Sequence, residues 1–138
     1  MREVDMESER FRYWIVGASM QSGTNNVDDE FVKNGFWALG YSKDENEQQY
    51  KKAQEIQVND RIAIKRRCGQ GSSNIKILHI GIVRGIINEF SDQVICNVDW
   101  LVVNKDIEVE SKGCYKTVHG PYLKAGEYQK WIEEIFSL

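Results

Sequence analysis

Apolar and β-branched residues alternate with polar ones over several short segments, and this pattern predicts a chain built mainly of strands. Phe11–Gly17 (FRYWIVG) is aromatic and β-branched, which favours a first strand. In Arg61–Arg66 (RIAIKR) the isoleucines fall on one face of a strand, and Arg61 and Lys65 fall on the other. Further strands are predicted at 35–41, 75–87 and 94–103.

Helical periodicity is clearest at the end of the chain. Within 127–138, apolar residues recur at i, i+3, i+4, i+7 and i+8, from Tyr128 to Phe136, which predicts an amphipathic helix. Shorter helices are predicted at 28–34, with Asp28 and Asp29 as caps, and near 47–54. Strands in succession with intervening turns favour an α+β fold with a small antiparallel sheet curled toward a barrel and flanked by helices.

Composition bounds this fold to one domain. The chain has 138 residues, of which 41% are hydrophobic and 28% charged, so residues 1–138 suffice for one core without a disulfide or metal. Residues 1–10 are a polar lead-in without the apolar region of a signal peptide. The three cysteines show no CxxC spacing, and no apolar run approaches the length of a membrane span. A reduced, cytoplasmic protein is the expectation.

Charge is distributed unevenly along the chain. The net charge is −3, but residues 61–88 carry +6 without one acidic residue, so the remainder carries −9. Such a block is either a solvated hairpin or a surface for a polyanion, and its acid-free length favours the polyanion. The candidate contacts to a nucleic-acid backbone are Lys65, Arg66, Arg67, Lys76 and Arg84.

Residues that could support catalysis are sparse. His79 and His119 lie in different segments, and no cysteine–histidine signature accompanies them. His79 lies within a predicted strand and is expected to have a packed or hydrogen-bonded structural role. The loop CGQGSS (68–73) lacks the GK[ST] of a phosphate-gripping P-loop and is expected to be a hairpin tip. We therefore expect a binding domain rather than an enzyme, without a cofactor or metal.

The four tryptophans differ in their contexts. Trp131 belongs to the apolar stripe of the last helix, and Trp100 lies on an apolar strand face, so both are predicted to be in the core. The position of Trp14 is ambiguous. Trp37 follows Gly35 after a polar loop and a short helix, and it is either a core residue or a platform on which an extruded base stacks.

Five strings occur in an order and spacing that resemble a known family. They are YWIVGAS (13–19), DDEFVKNGFWALGY (28–41), VNDRIAIKR (58–66), IGIVRGI (80–86) and VICNVDWLVV (94–103). Together they are similar to the EVE/YTH branch of the PUA-like superfamily, above all to the EVE-like domains at the N-termini of McrB-like restriction ATPases. The likeness covers roughly residues 11–103 and implies a small β-barrel flanked by helices.

The resemblance also implies a function. Such domains extrude a modified base into an aromatic cage without altering it. For this chain it implies recognition of modified DNA on behalf of a type IV restriction system, whose NTPase or nuclease is another domain or subunit. An RNA reader of the YTH or ASCH kind is the alternative. Two further rivals are an enzyme on a PUA-like barrel, with a His–Cys pair beside a pocket, and a protein-interaction domain without a cavity beside Trp37.

Site residues are implied position by position. Trp37 matches the first cage tryptophan, Ser19 matches a polar residue that contacts the base, and Ala38 stands where YTH domains have a serine. Tyr41 and Phe90 are candidates for a second cage wall. Contacts to the base edge are expected from the polar loop, namely from Gln21, Ser22, Thr24 and Asn25.

Overall fold

The computed structural model describes residues 11–20, 25–87 and 93–137, which form an α+β fold with a curled, half-barrel sheet. The strands are β1 Arg12–Gly17, β2 Ser19–Met20, β3 Asn25–Asn26, β4 Phe36–Ala38, β5 Arg61–Arg67, β6 Asn74–Ile87, β7 Ile95–Val102, β8 Ile107–Glu110 and β9 Val118–Leu123. The helices are α1 Asp28–Asn34, α2 Glu47–Ala53 and α3 Gln129–Phe136, the last preceded by a 3₁₀ turn at Gly126–Tyr128. The strands and helices expected from the pattern are therefore present.

The main sheet has the order β4-β7-β6-β5-β1-β9, and β8 pairs with β6. Most neighbours are antiparallel, but β1 and β5 are parallel. The main sheet is therefore antiparallel, as predicted, except at this pair. Between β1 and β5 the chain passes through α1, β4 and α2, and a connection of that length lets it return in the same direction.

Both faces of the sheet are buried. On one face, Trp14 and Ile62 pack with residues of α1 and α2. On the other face, Ile15 and Ala63 pack against α3, whose Trp131 is buried. The alternation predicted for β5 is present, and the face opposite the isoleucines, which carries Arg61 and Lys65, also carries Ala63 of the second core.

Buried indole groups fix the strands to the loops. The Trp14 indole N–H donates to Asp60 Oδ2 at 2.8 Å, so this tryptophan belongs to the core. Asp60 also accepts the Gln57 backbone N–H at 2.9 Å. Trp131 is buried and donates to the Glu110 carbonyl oxygen, and the half-buried Trp100 packs against the first core. The core positions predicted for these last two residues are confirmed.

The helix termini follow capping chemistry only in part. Asn46 caps α2, since its side chain accepts the Gln49 backbone N–H. The N-cap of α1 is Val27, without a side-chain cap, so the prediction that Asp28 and Asp29 cap this helix is wrong. The helix ends at Gly35, whose φ of 71° is the left-handed conformation that glycine adopts readily. None of the helices in the described ranges is long and apolar enough to cross a membrane.

The cysteines predict a simple pattern of thiol reactivity. All three are free; Cys68 is exposed, whereas Cys96 and Cys114 are buried. Burial raises the pKa of Cys96 to about 12, and it also raises the pKa of Cys114. Because the thiolate is the reactive form, we expect a thiol reagent to modify Cys68 quickly and the other two only on unfolding. Mass spectrometry of the native protein checks this, with Cys68→Ser as the control; fast labelling of Cys96 or Cys114 would contradict the buried placement.

Candidate nucleic-acid interface

The carboxyl end of β1 joins the predicted aromatic and cationic elements. The Trp37 indole N–H donates to the Gly17 carbonyl oxygen at 2.8 Å. Gly17 stands opposite Lys65 in the parallel β1–β5 pair, and its own N–H donates to the Thr117 carbonyl oxygen. Gly17 is therefore the point where β4, β5 and the start of β9 come together.

Trp37 itself is buried on the face that packs against α1 and α2. It lies opposite Cys96 in the β4–β7 pair, and its side chain is 0% exposed. Tyr41 is half-buried against the same core. Neither the Trp37 ring nor the Tyr41 ring is fully exposed, so a base that stacks on Trp37 must first displace the side chains that cover it.

The course of the backbone brings two of the polar residues predicted to contact the base close to Gly17. Ala18 follows Gly17 and accepts the Val27 N–H at 2.8 Å. Beyond it, β2 and β3 form a two-stranded ribbon in which Ser19 pairs with Asn26 and Met20 with Asn25. Ser19 and Asn25 are thus held next to the Gly17 end of the sheet. The predicted Gln21, Ser22, Thr24 and Phe90 lie outside the described residues.

The six basic residues of 61–88 do not form one patch. Arg61 and Arg84 lie at the base of the β5–β6 hairpin, about 20 Å from its tip along the strand. Arg61 stacks over the Phe11 ring at 3.5 Å, and Arg84 lies 3.5 Å from Asp99. All six cations lie on the β5–β6 hairpin, but Arg61 and Arg84 are separated along the strands from the Gly17 end.

The other four cations lie toward the hairpin tip in different environments. Lys65 is only 6% exposed, and burial lowers its pKa to about 8. Arg66 is partly exposed and lies 2.6 Å from Asp28. Arg67 is exposed and Lys76 is half-buried, and within the described ranges neither forms a salt bridge. The free positive charge at the tip is thus smaller than the sequence indicates.

A buried polar network that the sequence does not reveal anchors Arg66. The Asp28 carboxylate accepts from Arg66 through Oδ1 and contacts His79 Nε2 through Oδ2 at 2.8 Å. His79 Nδ1 accepts the Asn104 N–H at 3.0 Å, so the ring proton is on Nε2 and faces Asp28. The structural role predicted for His79 is confirmed.

The hydrogen bonds of this network argue against a metal site at Asp28, Asp29 and His79. Asp28, Asp29 and His79 have ligand atoms within 4.8 Å of one another, a spacing that a metal ion can bridge. Both nitrogens of His79 and both oxygens of Asp28 already have hydrogen-bond partners. A metal would have to displace Arg66 or the ring proton, so the cluster works as a structural hydrogen-bond network.

His119 and the buried thiols are not coupled as a nucleophile pair. His119 Nε2 accepts the Lys116 N–H at 3.0 Å. Burial, aided by the charges of Lys65 and Lys116, lowers the pKa of His119 to about 4. Cys114 Sγ lies 3.4 Å from the Tyr122 hydroxyl. Among the residues that the structure describes, no histidine hydrogen-bonds to a cysteine.

Comparison of the chain with protein-family models and with curated proteins finds no match. The interface is therefore interpreted from its own residues: an indole at the end of β1, a polar ribbon beside it, and a cationic strand next to both.

Proposed function

We propose that this chain is a PUA-like, EVE-type binding module that recognises a modified base in duplex DNA. The base leaves the duplex and enters a cage around Trp37, and the module performs no chemistry on it. The observation that carries the proposal is the junction at Gly17, where the Trp37 indole and the cationic strand β5 meet on one short stretch of backbone.

The geometry of that junction suits an extruded nucleotide. Arg66 alternates with Ile62 and Ile64 on β5 and so shares the Trp37 face of the sheet, while β5 lies one strand spacing, about 4.8 Å, from the Gly17 carbonyl group that accepts the Trp37 N–H. Phosphate groups bind cations, whereas bases stack on indole rings with about 1–3 kcal/mol per base. A base near Trp37 and its phosphate near β5 would use both elements at once.

Burial of Trp37 adds a conformational step to recognition. The ring is covered in the free protein, so binding selects a conformation in which its face is open. The opening cost lowers the affinity for every base equally. A methyl or similar substituent gains apolar contacts in the open cage that an unmodified base lacks, and this difference provides the discrimination.

The restriction role follows from the family resemblance. In this proposal the module selects the DNA, and an NTPase or nuclease in another domain or subunit acts on it. Contacts to ribose hydroxyls would instead make the module an RNA reader.

A binding screen tests the proposed function. Duplexes of one sequence carry methyladenine, methylcytosine, hydroxymethylcytosine or no modification, and RNA duplexes of equal sequence are measured beside them. We expect one modified DNA to bind about fourfold or more tighter than its unmodified counterpart, because burying one methyl group is worth about 0.8 kcal/mol. Preference for modified RNA would support the RNA alternative, and binding that ignores modification in both would reject base recognition.

A further inference from the structure

The second face of the sheet carries a lysine, Lys65, whose stem is buried and which has no partner among the described residues. Lys65 follows Ile64, so its side chain points to the face opposite Trp37, where Ala63 and Ile15 also pack. It is 6% exposed, and no hydrogen bond or salt bridge joins it to any of the residues 11–20, 25–87 or 93–137. In the described residues the one buried side-chain nitrogen or oxygen without a hydrogen-bond partner is Arg12 Nε, so the Lys65 stem is buried while its ammonium group reaches solvent, where an anion can approach it.

Two neighbouring groups add donors to the same region. His119 stands opposite Ile15 in the β1–β9 pair and therefore shares the face of Lys65. Its Nε2 accepts the Lys116 N–H, so the proton of the neutral ring is on Nδ1, which no described residue accepts. Gly17, between the two strands, has no side chain to separate Lys65 from β9.

Arg67 extends the positive region to the hairpin tip. It lies two residues beyond Lys65 on the same strand face, and its guanidinium is 5.6 Å from the Tyr115 ring centroid. An open cavity of about 340 Å³ adjoins it, lined by Arg67, Gly69, Gly71, Ser72, Ser73 and Tyr115. In the described part of the chain, no carboxylate forms a salt bridge with Lys65, Arg67, Lys116 or His119.

We propose that Lys65, Arg67 and His119 form a phosphate-binding site on the face of the sheet opposite Trp37. An ammonium, a guanidinium and an imidazole N–H supply charge-assisted and neutral donors to phosphate oxygens. The absence of acidic partners around them favours a dianion or a phosphodiester over a neutral ligand. The site deepens the proposed function because it would hold a phosphate group of the bound nucleic acid. Only the identification of that phosphate as part of a nucleic acid rests on the proposed function.

The competing electrostatic interactions support this arrangement. Burial is the main cause of the lowered pKa of both Lys65 and His119. Arg67 lowers the pKa of Lys65 further, and Lys65 and Lys116 lower that of His119. Mutual repulsion of this kind is relieved when an anion binds among the cations.

Titration of the whole chain with inorganic phosphate, followed by NMR, tests the site. We expect saturable shifts at Lys116 and His119 and at the Arg67 side chain, and none with chloride at equal ionic strength. Lys65→Met should weaken phosphate binding about tenfold, the value of one charged hydrogen bond, whereas Lys130→Met on the exposed side of α3 should not. Shifts that do not saturate, or equal binding by Lys65→Met, would overturn the proposal. If Lys65→Met does not fold, Arg67→Gln at an exposed position must show the loss instead.

Competition then identifies the source of the phosphate. An unmodified DNA duplex that displaces inorganic phosphate supports a nucleic-acid backbone as the ligand. Saturable phosphate binding without such competition supports a site for a soluble phosphate compound. Trp37 lies on the other face, so Trp37→Phe should leave phosphate affinity unchanged, and loss of base recognition is thereby separable from loss of the phosphate site.

Discussion

Trp37→Ala is expected to abolish the preference for a modified duplex, because the indole supplies the stacking face of the proposed cage. Loss of stacking is worth about 1–3 kcal/mol, which weakens binding about 5- to 150-fold. The substitution also removes a fully buried side chain and its hydrogen bond to Gly17, so a stability loss of about 3–5 kcal/mol accompanies it. Affinity is therefore measured by titration at a temperature where circular dichroism shows the variant folded.

A matched pair of variants separates binding from stability in this experiment. Trp131→Ala truncates another buried tryptophan, which lies in the second core and also donates to a backbone carbonyl. It should lower stability by a similar amount and leave the affinity of the folded protein unchanged. Trp37→Phe keeps an aromatic face and should retain part of the preference. If both Trp37 variants discriminate as well as the unsubstituted protein, the cage lies elsewhere.

Asp28→Ala is expected to cause a large loss of stability through the polar network beneath α1. The change leaves the His79 Nε2 proton without an acceptor at a 1% exposed position, and it releases Arg66. Losing a hydrogen bond to a charged acceptor and leaving the buried neutral donor unsatisfied costs about 1.5–3 kcal/mol. Arg66 is partly exposed, so most of this loss comes from the buried His79–Asp28 contact. Urea denaturation measures the difference in the free energy of unfolding.

The neighbouring residue is the control for this prediction. Asp29 is exposed in the same turn of α1, where a carboxylate interacts favourably with the helix N-terminus. Asp29→Ala should therefore cost no more than about 1 kcal/mol. Equal effects of the two alanine substitutions would mean that Asp28 contributes only as a helix-terminal charge. The buried network would then add nothing to the free energy of unfolding.

Local patterns predicted the strands and helices well because burial and periodicity are properties of neighbouring residues. The segments Phe11–Gly17 and Arg61–Arg66 become β1 and β5 almost without change. Their parallel pairing was not predictable in this way, because strand direction depends on how 18–60 crosses between them. The burial of Lys65 was missed for the same reason: the second core comes from α3, far along the chain.

Pairing of charges limited the prediction of the site. A count along 61–88 treats six cations as equivalent, but Arg66 pairs with Asp28, which is 38 residues away. Arg84 pairs with Asp99 from β7. The aspartates DD at 28–29 read as helix caps because a capping residue is recognised from its immediate neighbours. The hydrogen bond from Trp37 to Gly17 likewise joins two segments that only the folded sheet brings together.

The affinity of the unsubstituted protein for matched DNA duplexes that differ in one modified base tests the central proposal most directly. If the chain recognises an extruded modified base, one such duplex binds about fourfold or more tighter than its unmodified twin, the value of burying one methyl group. That advantage should remain as salt weakens both complexes, because phosphate contacts are common to the two duplexes. Equal affinities for every duplex at each salt concentration would contradict it.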